Sequence, residues 1–194
     1  MLFPEIKPAI RSEHEELTFN SSPIGYKMLD FWKWSMSNIL SNTDRGALAE
    51  FIVATAAGFD KPMRNDWGSY DITADNGRIK IEVKSSAYIQ SWDQSKLSTI
   101  SFSIKESGCW DSKTNTYSKR VRHSDLYVFC LLKHKEQDTI DPLKLEQWEF
   151  YVVKTETLNG YERSKVSITL NSLRKLTDAI SYSQLRDKIF EYKQ

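Results

Sequence analysis

One short stretch restricts the fold more than any other part of the chain: Tyr70-Asp-Ile-Thr-Ala, then Asp75-Asn-Gly-Arg, then Ile79-Lys-Ile-Glu-Val-Lys. Asn-Gly between two alternating runs is the strongest short-range signal for a β-hairpin, because a type I′ turn needs φ > 0 at both central positions. The turn sets the register. With Asp75 opposite Arg78, Ala74 meets Ile79, Thr73 meets Lys80, Ile72 meets Ile81, and Asp71 meets Glu82. Side chains alternate across a strand, so Ile72, Ala74, Ile79, Ile81 and Val83 share one face while Asp71, Glu82 and Lys84 share the other.

The acidic face is the first candidate for chemistry. Directly opposed carboxylates place their Cβ atoms roughly 4.5–5.5 Å apart. A charged hairpin face that is simply solvated is the plainer reading, but like charges opposite one another weaken a sheet. A divalent cation removes that repulsion, and Mg²⁺ prefers oxygen ligands with its remaining positions left to water and phosphate. Asp71, Glu82 and the backbone carbonyl of Val83 form such a set. A metal there polarises a phosphate and lowers the pKa of a bound water. Lys84 either orients that water or stabilises charge building on the phosphate.

Upstream, Asn42, Thr43 and Asp44 are N-cap residue types and Gly58 suits a C′ position, which predicts a helix from about Asp44 to Ala57. Between Ala47 and Ala57 only Glu50 and Thr55 are polar, so most of the circumference is expected to be covered. A carboxylate there is costly to bury unless paired or bound to metal. Glu50 is therefore a candidate for the same site, holding a second metal or the water network. The alternatives are a snorkelling Glu50 or one paired to Arg45.

The remaining pattern supports a mixed α/β fold. Residues 1–23 read as an extended or partly helical lead-in, and 26–40 as an amphipathic helix with its apolar stripe against the core. Strands are expected at 97–104, 125–132, 148–154 and 165–170, a short helix capped by Asn171, and a last helix over 182–192. Leu126-Tyr-Val-Phe-Cys-Leu-Leu is continuously apolar, as in a strand covered on both faces. The order predicts one domain over residues 1–194: a mixed central β-sheet flanked by helices on both sides, its catalytic core at about 42–132.

Composition excludes several classes. The 194 residues are 40% hydrophobic and 27% charged with a mean hydropathy of −0.53, an ordinary globular profile. The N-terminus lacks the form of a signal peptide and no apolar run is long enough to span a bilayer, which predicts a cytoplasmic protein without a membrane partner. Cys109 and Cys130 are too few for a disulfide framework and are expected to be reduced and structural. His14, His123 and His134 suit neither a zinc site nor a His-based triad, and Gly46 and Gly68 belong to no phosphate-binding loop. A net charge of +1 brings no general field for nucleic acid. Local contacts are left to Lys119, Arg120, Arg122 and the neighbouring His123, and to Ser86; the plain reading of the basic cluster is a solvated loop. Ser85, Tyr88, Gln90 and Trp92 follow the acidic strand and either touch nucleic acid or line a loop.

Asp71, ten intervening residues, Glu82-Val83-Lys84 and Glu50 on a preceding helix resemble the PD-(D/E)XK nuclease superfamily, the restriction-endonuclease-like group. The resemblance spans residues 42 to 105, and Tyr70 stands where that group often has proline. It implies a Mg²⁺-dependent endonuclease acting on DNA, with Mn²⁺ as a substitute, in restriction, repair or defence. Glu50, Asp71, Glu82 and Lys84 would be catalytic. A homodimer is compatible with cutting both strands. The competing expectation is a catalytically silent member of the fold that binds DNA or protein.

Overall fold

The computed structural model describes residues 3, 6, 8–59, 63, 64, 68–108, 110, 111 and 116–193, and the chain divides into two compact units, residues 1–38 and 39–194. In the first, strands β1 (Glu16–Phe19) and β2 (Ser22–Lys27) form an antiparallel hairpin. Its turn is Asn20-Ser21, both at positive φ (48° and 64°). This corrects the extended or partly helical lead-in. The turn lacks a glycine to announce it, and Pro23 sits inside a strand, where only an edge position tolerates it. Helix α1 (Met28–Met36) follows, with the Lys27 N–H donating to the Asp30 carboxylate at 2.8 Å. It is shorter than the pattern predicted, and none of its residues is buried where a covered stripe was expected.

The second unit opens with α2 (Asn42–Ala57). Its N-cap is Ser41, one residue before the expected candidates, whose Oγ accepts the Asp44 N–H at 3.1 Å. Gly58 closes the helix at φ 97°, a left-handed conformation that glycine adopts without a Cβ penalty. Burial covers Ala49, Ile52, Val53, Ala56 and Ala57 but not Phe51, which is exposed, so the helix is less enclosed than expected.

Strands β3 (Ile72–Ala74) and β4 (Ile79–Ala87) pair as Ile72 with Ile81, Thr73 with Lys80 and Ala74 with Ile79, the register that the turn predicted. The turn places Asn76 at φ 56° and Gly77 at φ 82°. Next come β5 (Ser101–Ser103), much shorter than the expected 97–104, then β6 (Trp110–Asp111), β7 (Thr116–Tyr117), β8 (Leu126–Leu132) and β9 (Trp148–Lys154). The chain ends with α3 (Thr155–Asn159), β10 (Ser167–Thr169), α4 (Leu170–Leu173) and α5 (Tyr182–Phe190). Thr169 rather than Asn171 caps α4.

The main sheet runs β3-β4-β8-β9, with β4 and β8 parallel and the other two pairings antiparallel. All of β8 is buried, as its unbroken apolar run required. On one face, Ile79, Ile81, Val83, Val128 and Val152 pack with residues of α2 and α5. On the other, Tyr127, Phe129, Leu131 and Tyr151 pack with Leu158 of α3, Leu170 and Leu173 of α4, and Phe102 and Ile168 of the antiparallel pair β5-β10. The sheet is thus mixed and flanked by helices on both sides, as expected. Cys130 is a buried free thiol whose pKa burial pushes up, while Cys109 lies outside the described residues. Among the described residues no helix is long and apolar enough to cross a membrane.

Candidate active site

Strand β3 is too short to cover β4. Their pairing ends at Ile72 and Ile81, and beyond it the Asp71 N–H donates to the Ile81 carbonyl at 3.1 Å. The next outward N–H of β4, on Val83, is taken by the Asp71 carboxylate itself at 2.7 Å. Because the N–H and C=O of one strand residue point to the same side, the Val83 carbonyl opens on the edge where Asp71 sits.

Asp71, Glu82 and Lys84 are brought together there. The Lys84 ammonium donates to Glu82 Oε1 at 2.5 Å and lies 3.9 Å from Asp71 Oδ2. All three side chains are partly exposed, at 23%, 20% and 29%. Burial raises the pKa of the Asp71 carboxyl above its ordinary value and the Glu82 charge raises it further, while Lys84, the Val83 N–H and Arg64 pull it back. Asp71 lies outside the β3–β4 ladder, so the expected direct pairing with Glu82 is not formed, although the Glu82 charge still acts on it.

Glu50 is placed differently from the trio. Its carboxylate accepts two hydrogen bonds from Arg64, at 2.6 and 2.8 Å, so its partner is Arg64 and not Arg45. The Arg64 charge is felt at Asp71, which links Glu50 to the acidic edge through a guanidinium. Arg45, at the start of the same helix, is buried and hydrogen-bonds to Ser85, Gln90, Asn42 and the Leu40 carbonyl.

Arg64 and Tyr127 are the neighbours that sequence reasoning missed. Tyr127 is the β8 partner of Glu82, and burial followed by the Glu82 charge pushes its phenol up to about 12. Its signal exists only in the parallel pairing of distant strands. Arg64 follows a helix and carries no pattern at all.

The candidate phosphate contacts separate. Lys119 and Arg120 are exposed and Ser86 is half-buried on β4. Arg122, a candidate phosphate contact with a solvated loop as the plain alternative, fits neither reading. Its side chain is 1% exposed, and the guanidinium donates to the Ile104 carbonyl at 2.9 Å and to Asn159 Oδ1 at 2.7 Å, holding the chain from inside. His123 Nε2 lies 2.9 Å from the Ser107 carbonyl.

The donor chemistry there suits a hard divalent cation: two carboxylates, one with its pKa raised by burial and then by the other's charge, and a carbonyl on the same side of β4. Among the described residues no three His, Cys, Asp or Glu side chains form a ready cage. One or two carboxylates with water completing the sphere is nonetheless the usual way of holding Mg²⁺.

A mixed sheet with helices on both faces defines an α/β protein, with an acid-acid-lysine group beside β4. The chain matches the model of the bacteriophage T4 endonuclease IV family over residues 20–172 and belongs to that endonuclease family. The match includes Glu50, Asp71, Glu82 and Lys84. No individual curated protein matches the chain.

Proposed function

We propose that this protein is a Mg²⁺-dependent DNA endonuclease of the PD-(D/E)XK kind, hydrolysing phosphodiester bonds at the open edge of β4. One observation carries the reading: a single lysine bridges two cross-strand carboxylates where β3 stops short. Membership of an endonuclease family supports it independently.

Asp71, Glu82 and the Val83 carbonyl would hold the ion. When bound, it supplies positive charge to the scissile phosphate and acidity to an attacking water. The protein does the rest. The Val83 N–H fixes the Asp71 carboxylate, so the orientation of that group does not depend on a flexible rotamer. Asp71 serves as an ion-holding carboxylate; in the metal-free protein burial, and then the Glu82 charge, raise its pKa, a cost that a bound cation removes. Lys84 donates to the oxygen that gains charge as the phosphate is attacked, a role that needs its ammonium protonated and pointed at the edge. Arg64, half-exposed and held in a fork by Glu50, adds positive charge beside Asp71 for a neighbouring phosphate. Lys119 and Arg120 are available for contacts farther along the strand.

The test is incubation with supercoiled, linear, branched and single-stranded DNA in Mg²⁺, Mn²⁺ or EDTA, beside Lys84→Ala. Cutting in Mg²⁺ or Mn²⁺ that disappears in EDTA and in the variant is the expected result. DNA bound but never cut under any of these conditions would replace the enzyme with a silent binding module.

A further inference from the structure

Just past the acidic strand, the chain builds a second feature. Residues 88–98 lack regular structure, yet two glutamine side chains pin them. The Gln90 N–H donates to Gln94 Oε1 at 2.7 Å, and Gln90 Nε2 donates to the Ala87 carbonyl at 2.8 Å and to Ser98 Oγ at 3.1 Å. Gln94 Nε2 reaches the Tyr88 carbonyl at 3.2 Å and Ser98 Oγ at 2.9 Å, and the Ser98 N–H closes on the Tyr88 carbonyl at 2.9 Å. From beneath, Arg45 donates to Gln90 Oε1 and to Ser85 Oγ, both at 3.0 Å, tying the loop to the residue after Lys84.

This pinned loop presents Trp92, 55% exposed, at a depression of about 190 Å³. The charged residues lining it are Lys96 and Lys135. Lys135 is itself held, its ammonium 4.6 Å above the Tyr88 ring. Asp93 belongs to the loop but does not line the depression. A lone exposed tryptophan needs no explanation. One fixed on a hydrogen-bonded loop and sharing a depression with two lysines is a built surface. It lies where the loops after the parallel strands β4 and β8 meet, the carboxyl ends at which open α/β sheets receive ligands. The larger depression of about 440 Å³ beside α5 has Glu146, Glu149 and Lys133 in its wall, a net negative lining that does not suit a polyanion.

We propose that this depression is a nucleobase subsite for the polynucleotide substrate, with Trp92 stacking on one unpaired base and Lys96 and Lys135 contacting the adjoining phosphates. The proposal rests on the nuclease reading above. An aromatic face flanked by cations is the recurring device for single-stranded nucleic acid, and it tolerates any base because every base has a π-face. The Gln90 and Gln94 side chains are spent on the loop itself, so the subsite grips a base without reading its edge. Lys84 and Gln90 are separated by at most about 20 Å of extended chain, so one strand can engage both places.

The experiment is fluorescence anisotropy of a labelled single-stranded oligonucleotide in EDTA, with a single abasic nucleotide moved along it. Trp92→Ala is expected to weaken binding roughly tenfold or more, and Trp92→Phe much less. In the wild type, one abasic position should cost a similar factor, and in Trp92→Ala that position should cost nothing further. Lys135→Ala should lower the salt dependence of binding by about one phosphate contact. Unchanged affinity in Trp92→Ala, or an abasic profile identical to that of the wild type, overturns the subsite. If Mg²⁺-dependent cutting persists alongside such a result, the subsite alone falls. If the wild type neither binds nor cuts any DNA, the nuclease reading falls with it.

Discussion

Neighbouring positions on β4 handle charge in opposite ways. Midway along the strand, Glu82 and Lys84 meet Asp71, the residue before β3, whose pKa is raised by burial and then by the Glu82 charge. At the next residue, Ser85 meets Arg45, a buried guanidinium whose hydrogen bonds go to neutral oxygens on Ser85, Gln90, Asn42 and Leu40. Burial lowers the Arg45 pKa, yet its acceptors are arranged around the fork of donors. The first arrangement is partly exposed and electrostatically strained, which suits a charge arriving from outside. The second is closed and complete, which suits construction. Charge near a candidate site is therefore no guide to role until its partners are known.

That contrast predicts opposite responses to mutation. Lys84→Ala should reduce cleavage by about 10²–10³-fold, the usual scale for losing a donor to developing charge, with no loss of folding stability. Stability falling with activity would move Lys84 to the structural side. Arg45→Met should do the reverse, lowering stability by about 2 kcal/mol in urea titrations because several acceptors lose their donor at once. Cleavage per folded molecule should stay within a few-fold of the wild type. A large loss of turnover in the folded variant would show that the tie from Ser85 to Gln90 serves catalysis directly.

Glu50→Gln tests the intermediate case. Since the partner Arg64 is 48% exposed, the pair should contribute at most about 1 kcal/mol, and the effect on cleavage should stay below that of Lys84→Ala. A loss as severe as that of Lys84→Ala would place Glu50 at the reacting phosphate rather than behind Arg64. The smallest effect is one of pH. A carboxyl whose folded pKa is raised contributes stability below its unfolded pKa and loses it as pH rises through the folded value, so ionised Asp71 weakens the metal-free protein. Asp71→Asn should therefore melt higher than the wild type at neutral pH and lose that advantage on acidification below the aspartate range, as thermal melts in EDTA would record. An advantage that grows on acidification would contradict the raised pKa.

Local sequence determined the hairpin, its register from Ile72–Ile81 to the turn, and the buried course of Leu126–Leu132. These depend on φ > 0 at Asn76 and Gly77, on side-chain alternation and on apolar runs, all properties of neighbouring residues. The amino-terminal hairpin escaped because Asn20-Ser21 reaches the same positive φ without a glycine to mark it. Only the tertiary structure decided that β3 stops at Ile72, that Tyr127 stands beside Glu82, that Glu50 holds Arg64, and that Arg122 turns inward while Arg45 ties β4 to the Trp92 loop. The physical reason is the same in each case: an ion pair or hydrogen bond goes to whichever group the packed fold brings within about 3 Å, and separation along the chain says nothing about that distance.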